Sequence, residues 1–306
     1  MYNGPCIIVV LTAFCSAGCS TRPLDTEVTS AQVDPIIWSW CSALPADSAV
    51  FLPGHVSLPD RVEQGITFSP SGDTLVFSTI IGRRNDRNLW AMLWCARVNG
   101  NWTIPDTLPF SGTFSDYGPA FAPDGGTLYF SSRRPIADTT AVIPTDYDLW
   151  KVDLAAETWG TAVRLANGVN TNGNEYSVTA SRTHLVFCAD RNDALGRSDL
   201  FTVERVDELN EFAGVRNMGA PVSSPMWEGA AYLSTNGDGL WWNHVDEGHS
   251  ASEDILHSQL IEGRWTLPVP LGGRINTDAN EFMHCATQDG RRIFFGRHGD
   301  ILSAPL

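Results

Sequence analysis

The feature that most limits what this chain can become is a β-hairpin pattern that returns five times. In Asp116 to Arg134, two runs of strand-forming residues flank Pro123-Asp124-Gly125-Gly126, which supplies the fixed and the positive φ values that a tight turn needs. The pattern returns in Glu63 to Ser78 around Pro70-Ser71-Gly72, in Glu175 to Phe187 with a shortened turn, in Glu228 to Trp242, and in Glu281 to Phe295 around Asp289-Gly290. An acid opens each copy (Glu63, Asp116, Glu175, Glu228 and Glu281) at steps of 53, 59, 53 and 53 residues. Two further markers keep phase. A third strand begins at Asp148-Leu149-Trp150, Asp199-Leu200-Phe201, Asp254-Ile255-Leu256 and Asp300-Ile301-Leu302, and Asn88-Leu89-Trp90 is read as its first instance. Beyond it comes an aromatic: Trp102, Trp159, Phe212 or Trp265.

Each period therefore holds four short strands, the content of one propeller blade. A small sheet with two apolar faces cannot bury both by itself, so blades must pack side by side around an axis. The two ends of the repeat set complement each other. After Asp300 to Ser303 no residues remain for a fourth strand, whereas Ala49-Val50-Phe51-Leu52 precedes the first hairpin without a blade of its own. The expectation is an all-β fold, a single propeller of five four-stranded blades over residues 36–306. The segment near Phe51 closes the last blade, and Phe51 takes its aromatic position. Six blades, with a degenerate strand pair between Trp38 and Val50, is the alternative.

The Pro-Asp-Gly-like turn before Leu128-Tyr129-Phe130, the Asp148-Leu149-Trp150 strand, and the connections Asn170-Thr171 to Asn174-Glu175 and Ile275-Asn276-Thr277 to Asn280-Glu281 resemble the WD-like propeller repeats of the TolB family. The resemblance covers Glu63 to Leu306. It implies an envelope protein of bacteria that binds other proteins, without the α/β domain that precedes the propeller in that family.

The start of the chain agrees with export. Residues 1–18 carry no charged side chain, and the apolar run Cys6 to Phe14 is too short to span a bilayer, as in a signal peptide. Ser16-Ala17-Gly18-Cys19 resembles a bacterial lipobox, which makes Cys19 the expected lipidation site and residues 19–35 a tether without periodicity. The protein is then expected on the periplasmic side of the envelope or on the cell surface, held to the membrane by its lipid alone. A net charge of −15 argues against nucleic acid as a partner, since phosphate neutralisation needs clustered Lys and Arg. Cys41, Cys95, Cys188 and Cys285 lie far apart, without zinc spacing, and the sequence does not pair them.

Few residues suggest chemistry. There is no Gly-x-Ser-x-Gly elbow, no phosphate-binding loop before a Lys, and no His-Glu-x-x-His. His244, Asp246, Glu247 and His249 are metal-ligand types, but they stand in a polar, Gly- and Ser-flanked stretch that reads as an exposed loop, so no metal site is assigned. The Asn- and Asp-rich connections offer oxygens for calcium, yet Asn and Asp also close turns with their own side chains; no cofactor is expected. The periodic acids are the sharpest signal. First strands lie nearest a propeller's axis, which predicts a ring of carboxylates near one channel mouth. Arg83, Arg133, Arg191, His244 and Arg297 follow the second strands as their expected pairing bases. Paired, the acids are latches; unpaired, they form a charged mouth that receives a ligand. The functional expectation is a monomeric, non-enzymatic scaffold that binds a protein or envelope polymer through rim loops. A carbohydrate-active enzyme with two channel-mouth carboxylates, or a small-ligand or ion sensor, stands as the alternative.

Overall fold

Each hairpin that the repeats announce grows into one antiparallel sheet, and five such sheets form. The computed structural model describes residues 38–136, 143–155, 158–205, 212–245 and 252–306; Cys19, the expected signal and the tether lie outside the described residues. Blade 1 comprises Glu63–Phe68, Thr74–Arg84, Arg87–Val98 and Asn101–Trp102. Blade 2 comprises Asp116–Phe121, Thr127–Ser132, Asp148–Ala155 and Thr158–Trp159; blade 3 comprises Glu175–Ala180, His184–Ala189, Asp199–Arg205 and Phe212–Asn217. In blade 4 the strands are Trp227–Leu233, Gly239–Val245, Glu253–Ile261 and Arg264–Trp265, and in blades 1, 2 and 4 a second outer piece, Asp106–Thr107, Val163–Arg164 and Val269–Pro270, pairs with the same third strand. Blade 5 takes Phe282–Ala286, Arg292–Arg297 and Asp300–Pro305 from one end of the propeller sequence and Ala49–Val50 from the other. The first strand of every blade touches the first strands on both sides, so the circuit closes at five.

The innermost strands pack closely because each carries a bulge. The hairpin register shifts between Gln64 and Thr67, Tyr117 and Ala120, Tyr176 and Thr179, Glu228 and Ala231, and Met283 and Cys285. Gly65 and Gly118 sit in this bulge at φ of 62° and 63°. A Cβ on Gly65 would stand 3.1 Å from the Gly118 Cα, so glycine there serves both the left-handed backbone and the close approach of two strands. The amides freed by the bulge bond to the neighbouring blade. Gly118 N–H donates to Ser78 Oγ (3.1 Å), Ser177 N–H to Ser131 Oγ (3.2 Å) and Met283 N–H to Asn243 Oδ1 (2.7 Å). Cys188 Sγ serves the third interface by donating to Glu228 O (3.0 Å).

One apolar cluster fills each interface between blades, and in four of them an aromatic from the fourth strand takes part. Trp102 packs between blades 5 and 1, Trp159 between 1 and 2, Phe212 between 2 and 3, and Trp265 between 3 and 4. Each faces the preceding blade. The ring closes where expected, with Ala49 opposite Ser303, Val50 opposite Leu302, and Phe51 N–H donating to Ile301 O at 2.7 Å.

Three sequence expectations need correction. Phe51 does not occupy the aromatic position of blade 5, because it lies opposite Ile301 and faces blade 1 among Trp40, Phe68 and Phe294. The third strand of blade 1 is in phase at Ala91-Met92 rather than at Asn88-Leu89-Trp90. There the two hairpin arms run on to Arg84 and Arg87, past the length of the other blades, and Ala91 stands opposite Thr79. The sixth-blade alternative also fails. Ser39–Ala43 is a 3-10 turn whose flanking Trp38 donates from Nε1 to Pro70 O (3.1 Å), while Trp40 donates to Gly72 O (3.0 Å), which lays both indoles over the first hairpin. All four described cysteines are free thiols.

Candidate functional site: the acid positions and the axial channel

All five acids are buried to 1% exposure or less, and each is held by a similar set of donors. Glu281 accepts the Thr277 N–H (3.1 Å) and Oγ1–H (2.6 Å) and pairs with Arg297 Nε at 2.8 Å. Glu228 accepts the Ser224 N–H (3.0 Å) and Oγ–H (2.5 Å), with His244 Nδ1 at 3.2 Å. Glu175 accepts the Thr171 N–H (3.0 Å) and Oγ1–H (2.5 Å) but bonds no basic group among the described residues. Asp116, one methylene shorter, takes Ser111 Oγ–H (2.9 Å), Ser132 Oγ–H (2.5 Å) and Arg134 Nη2 (2.8 Å). Glu63 pairs with Arg61 Nε at 2.5 Å, and its Oε2 is buried without a partner. In blades 3, 4 and 5 the hydroxyl comes from the residue four before the acid, in the connection from the preceding blade. Each carboxylate therefore pins an inter-blade connection to the strand that follows it. The sequence carries that signal as Thr171-x-x-x-Glu175, Ser224-x-x-x-Glu228 and Thr277-x-x-x-Glu281.

The pairing bases follow cross-strand register, not simple sequence order. His244 and Arg297 stand directly across the hairpin from Glu228 and Glu281, and both reach them. In blade 2 the residue across is Ser132. Arg134, two residues on and so on the same face, reaches back to Asp116, whereas Arg133 points to the other face and lies over the Tyr147 ring at 4.1 Å. The shortened turn of blade 3 puts Ala189 across from Glu175 and carries Arg191 past it, to Asp193 (3.1 Å) and Gly168 O (3.0 Å). Arg83 is exposed and bonds Asp86 O (2.6 Å) at the tip of the long first hairpin, and Arg61 takes its expected place. With no cation in contact, burial pushes the Glu175 carboxyl up to about 7, against the pull of the two Thr171 donors.

None of the five acids lines the axial channel. Two cavities of about 50 Å³ each lie along the first strands, and no Asp, Glu, Lys or Arg is among their lining residues. The five carboxylates thus stand behind the wall of these cavities, buried and bonded within the blades. His284 lies in both cavities and is the one titratable group there besides Tyr117, Tyr232 and Cys285. Its Nε2 accepts the Gly65 N–H at 3.2 Å and its Nδ1–H donates to Met283 O at 3.0 Å, an arrangement that fixes a neutral ring, and burial lowers its pKa to about 4. It completes the bonding of bulged amides where blade 5 has Gly296 in place of a hydroxyl or amide side chain; a Cβ there would stand 3.0 Å from His284 Nε2.

The Asn-rich connections spend their oxygens internally. Asn170 brackets Leu149, accepting its N–H (2.7 Å) and donating to its carbonyl (2.9 Å), and Asn276 does the same to Ile255. Of the metal-type cluster only His244 falls within the described residues; Asp246, Glu247 and His249 lie outside them. Among the described residues no group of three or more His, Cys, Asp or Glu side chains is placed to hold a metal ion.

No protein-family description and no curated protein matches the sequence. Solved structures do resemble the fold at low identity. A glycoside hydrolase aligns with a TM-score of 0.50 at 12% identity, over 86% of this chain and 92% of its own. TolB from Acinetobacter baumannii aligns with a TM-score of 0.46 at 12% identity, over 82% of this chain and 56% of its own. A Mycobacterium tuberculosis puromycin-hydrolyzing peptidase aligns with a TM-score of 0.42 at 14% identity, over 70% of this chain and 30% of its own. The chain thus spans little more than half the length of TolB and under a third of the peptidase.

Proposed function

We propose that this five-bladed propeller is an exported, lipid-anchored scaffold that binds a protein or envelope polymer through its rim. The observation that carries this reading is where the charge and the open space lie. The five periodic acids are committed to bonds inside the blades, and the axial cavities are small and lined by uncharged side chains. Two-carboxylate hydrolysis needs a pair of acids about 5–10 Å apart facing a shared opening, and the periodic acids face none. The rim, by contrast, holds a cleft of about 700 Å³ and exposes Ile104 and Leu267 at 84% and 80%. Such positions on a rigid scaffold suit recognition.

Anchoring is tested by mass spectrometry of the membrane-fraction protein, which should show an acylated N-terminal Cys19; an unmodified mature end elsewhere excludes the anchor. Binding is tested by photo-cross-linking from rim positions in intact cells, with substitutions at Glu175 and Glu281 as controls for stability alone. Cross-links confined to the axial channel would overturn the rim assignment.

A further inference from the structure

Among the described residues, one interface between blades lacks the fourth-strand aromatic that takes part in the other four. Trp159, Phe212 and Trp265 pair across the strand from Leu154, Arg205 and Leu260, each six residues after the Asp or Glu-Asp start of its third strand, and Trp102 pairs likewise with Arg97. In blade 5 the equivalent third-strand residue is Leu306, six after Asp300. Only Ala49 and Val50 pair with the third strand, opposite Ser303 and Leu302; Ala46 and Asp47 bend out of the strand, with Pro45 O accepting from Arg292 Nη2 (2.8 Å), and no aromatic among the described residues pairs with Leu306. The position thus lacks, among the described residues, the indole or phenyl ring that its counterparts hold. Phe51 cannot replace it. It lies opposite Ile301, five residues from Leu306, and an odd separation on a strand reverses the face.

The consequence is visible as space. At the interface of blades 3 and 4, where Trp265 is present, the rim cleft measures about 290 Å³. At the interface of blades 4 and 5, with Leu306 in the place of Leu260, it measures about 700 Å³. Its floor is the stacked pair Trp241 and His257, with ring centroids 4.4 Å apart. The imidazole of His257 and the side-chain amide of Gln259 have no hydrogen-bond partner among the described residues. Asp238 and Asp289 stand at its edge and no Lys or Arg lines it, although Arg291 Nε approaches Asp289 at 3.9 Å. Among the described residues no strand pairs with the outer edge of the third strand beyond Ser303, whereas in blades 1, 2 and 4 a tight hairpin covers it.

We infer that this vacant position is a docking site for an extended segment of a partner protein, which inserts a Trp or Phe side chain between blades 4 and 5 and lies along the free edge as the missing part of the fourth strand. The occupant is specified by the molecule's own repeats: four sister interfaces accept an aromatic here, three of them from a hairpin strand. The two edge carboxylates and the net charge of −15 favour a basic residue beside that aromatic. This inference rests on the scaffold reading and names the chemistry its partner presents.

The blade 4 hairpin supplies the probe. A labelled Gly-Arg-Trp-Thr-Leu peptide, the sequence of Gly263 to Leu267, is titrated by fluorescence anisotropy against the full chain, beside the same peptide with Ala for Trp. Saturable binding, at least tenfold weaker for the Ala peptide and weakened likewise by His257→Ala, which takes one ring from the cleft floor, is the expected result. Because a substitution reports on binding but not on its place, a peptide with benzoylphenylalanine in the Trp position is also photo-cross-linked to the unaltered protein, where attachment should map to residues 257–261, 288–290 or 306. Equal binding of the two peptides, or attachment elsewhere, overturns the inference. A partner cross-linked in cells at other rim loops, with no attachment in this cleft, overturns it too while leaving the scaffold reading intact.

Discussion

The interface of blades 5 and 1 and the interface of blades 4 and 5 flank the same sheet, yet they are filled in opposite ways. On one side of blade 5, Phe51 and Phe294 pack with Phe68, Trp102, Trp38 and Trp40 in a continuous aromatic cluster. On the other side Leu306 borders the open cleft. Both outcomes follow from closing the ring with a strand from the far end of the propeller sequence. Such a strand brings its own register, and register decides the face on which every side chain falls. The aromatic that a hairpin would have turned toward blade 4 is turned toward blade 1. Closure and the vacancy are one event.

The largest effect in that comparison should come from removing the closing segment. Deleting residues 38–60 takes away the fourth strand of blade 5 and half of the aromatic cluster, leaving an exposed sheet edge. Size-exclusion chromatography should show aggregation; a monomer with unchanged melting temperature would mean that the ring closes without it. Next in size are single losses on the filled side. Phe51→Ala should cost about 3–5 kcal/mol in urea denaturation, the usual range for a buried Phe, whereas His257→Ala in the cleft, which removes a half-buried ring stacked on Trp241, should cost about 0.5–1.5 kcal/mol. Comparable costs at the two sites would erase the distinction between the interfaces.

The open interface relies on its latch, so Glu281→Ala is the third test. The substitution leaves Arg297 Nε and both Thr277 donors without their acceptor, and breaking a buried pair from one side costs about 3–5 kcal/mol at the upper end. Melting at or above the wild-type temperature would show that the acid is not a structural latch. Glu175, which lacks a base, responds differently. Its carboxyl is raised from 4.5 to about 7 in the fold, so between those values the folded protein holds a proton that the unfolded chain has released. Stability from this group therefore falls as pH rises from 4.5 toward 7, by on the order of 2–3 kcal/mol, and is level above. In Glu175→Gln the amide can both accept the Thr171 N–H and donate to its hydroxyl, and that component should vanish from the stability profile. An unchanged profile would place the titration elsewhere.

Much of this was legible in the sequence because the repeats encode local geometry. The turn residues, the alternation of apolar side chains and the acid at each repeat fix where hairpins form and how many strands a blade contains, and chain neighbours within a hairpin find each other without help from the rest of the fold. The pairing of Glu228 with His244 and of Glu281 with Arg297 was readable for the same reason, as cross-strand partners in hairpins of equal length. Where the hairpin length changes, as in blades 1 and 3, the same reading named Arg83 and Arg191, and neither meets its acid.

The sequence by itself determined an all-β chain of repeating four-stranded units and placed its acids on the strands nearest the axis. Only the tertiary structure decided that those acids face into the blades, that the channel is lined by uncharged groups, and that one interface is left open. The physical reason is range. Hairpin register is set by a turn of a few residues, but the meeting of Ala49 with Ser303 joins segments at opposite ends of the propeller, and no local pattern records which of two alternating faces a side chain will take when they meet.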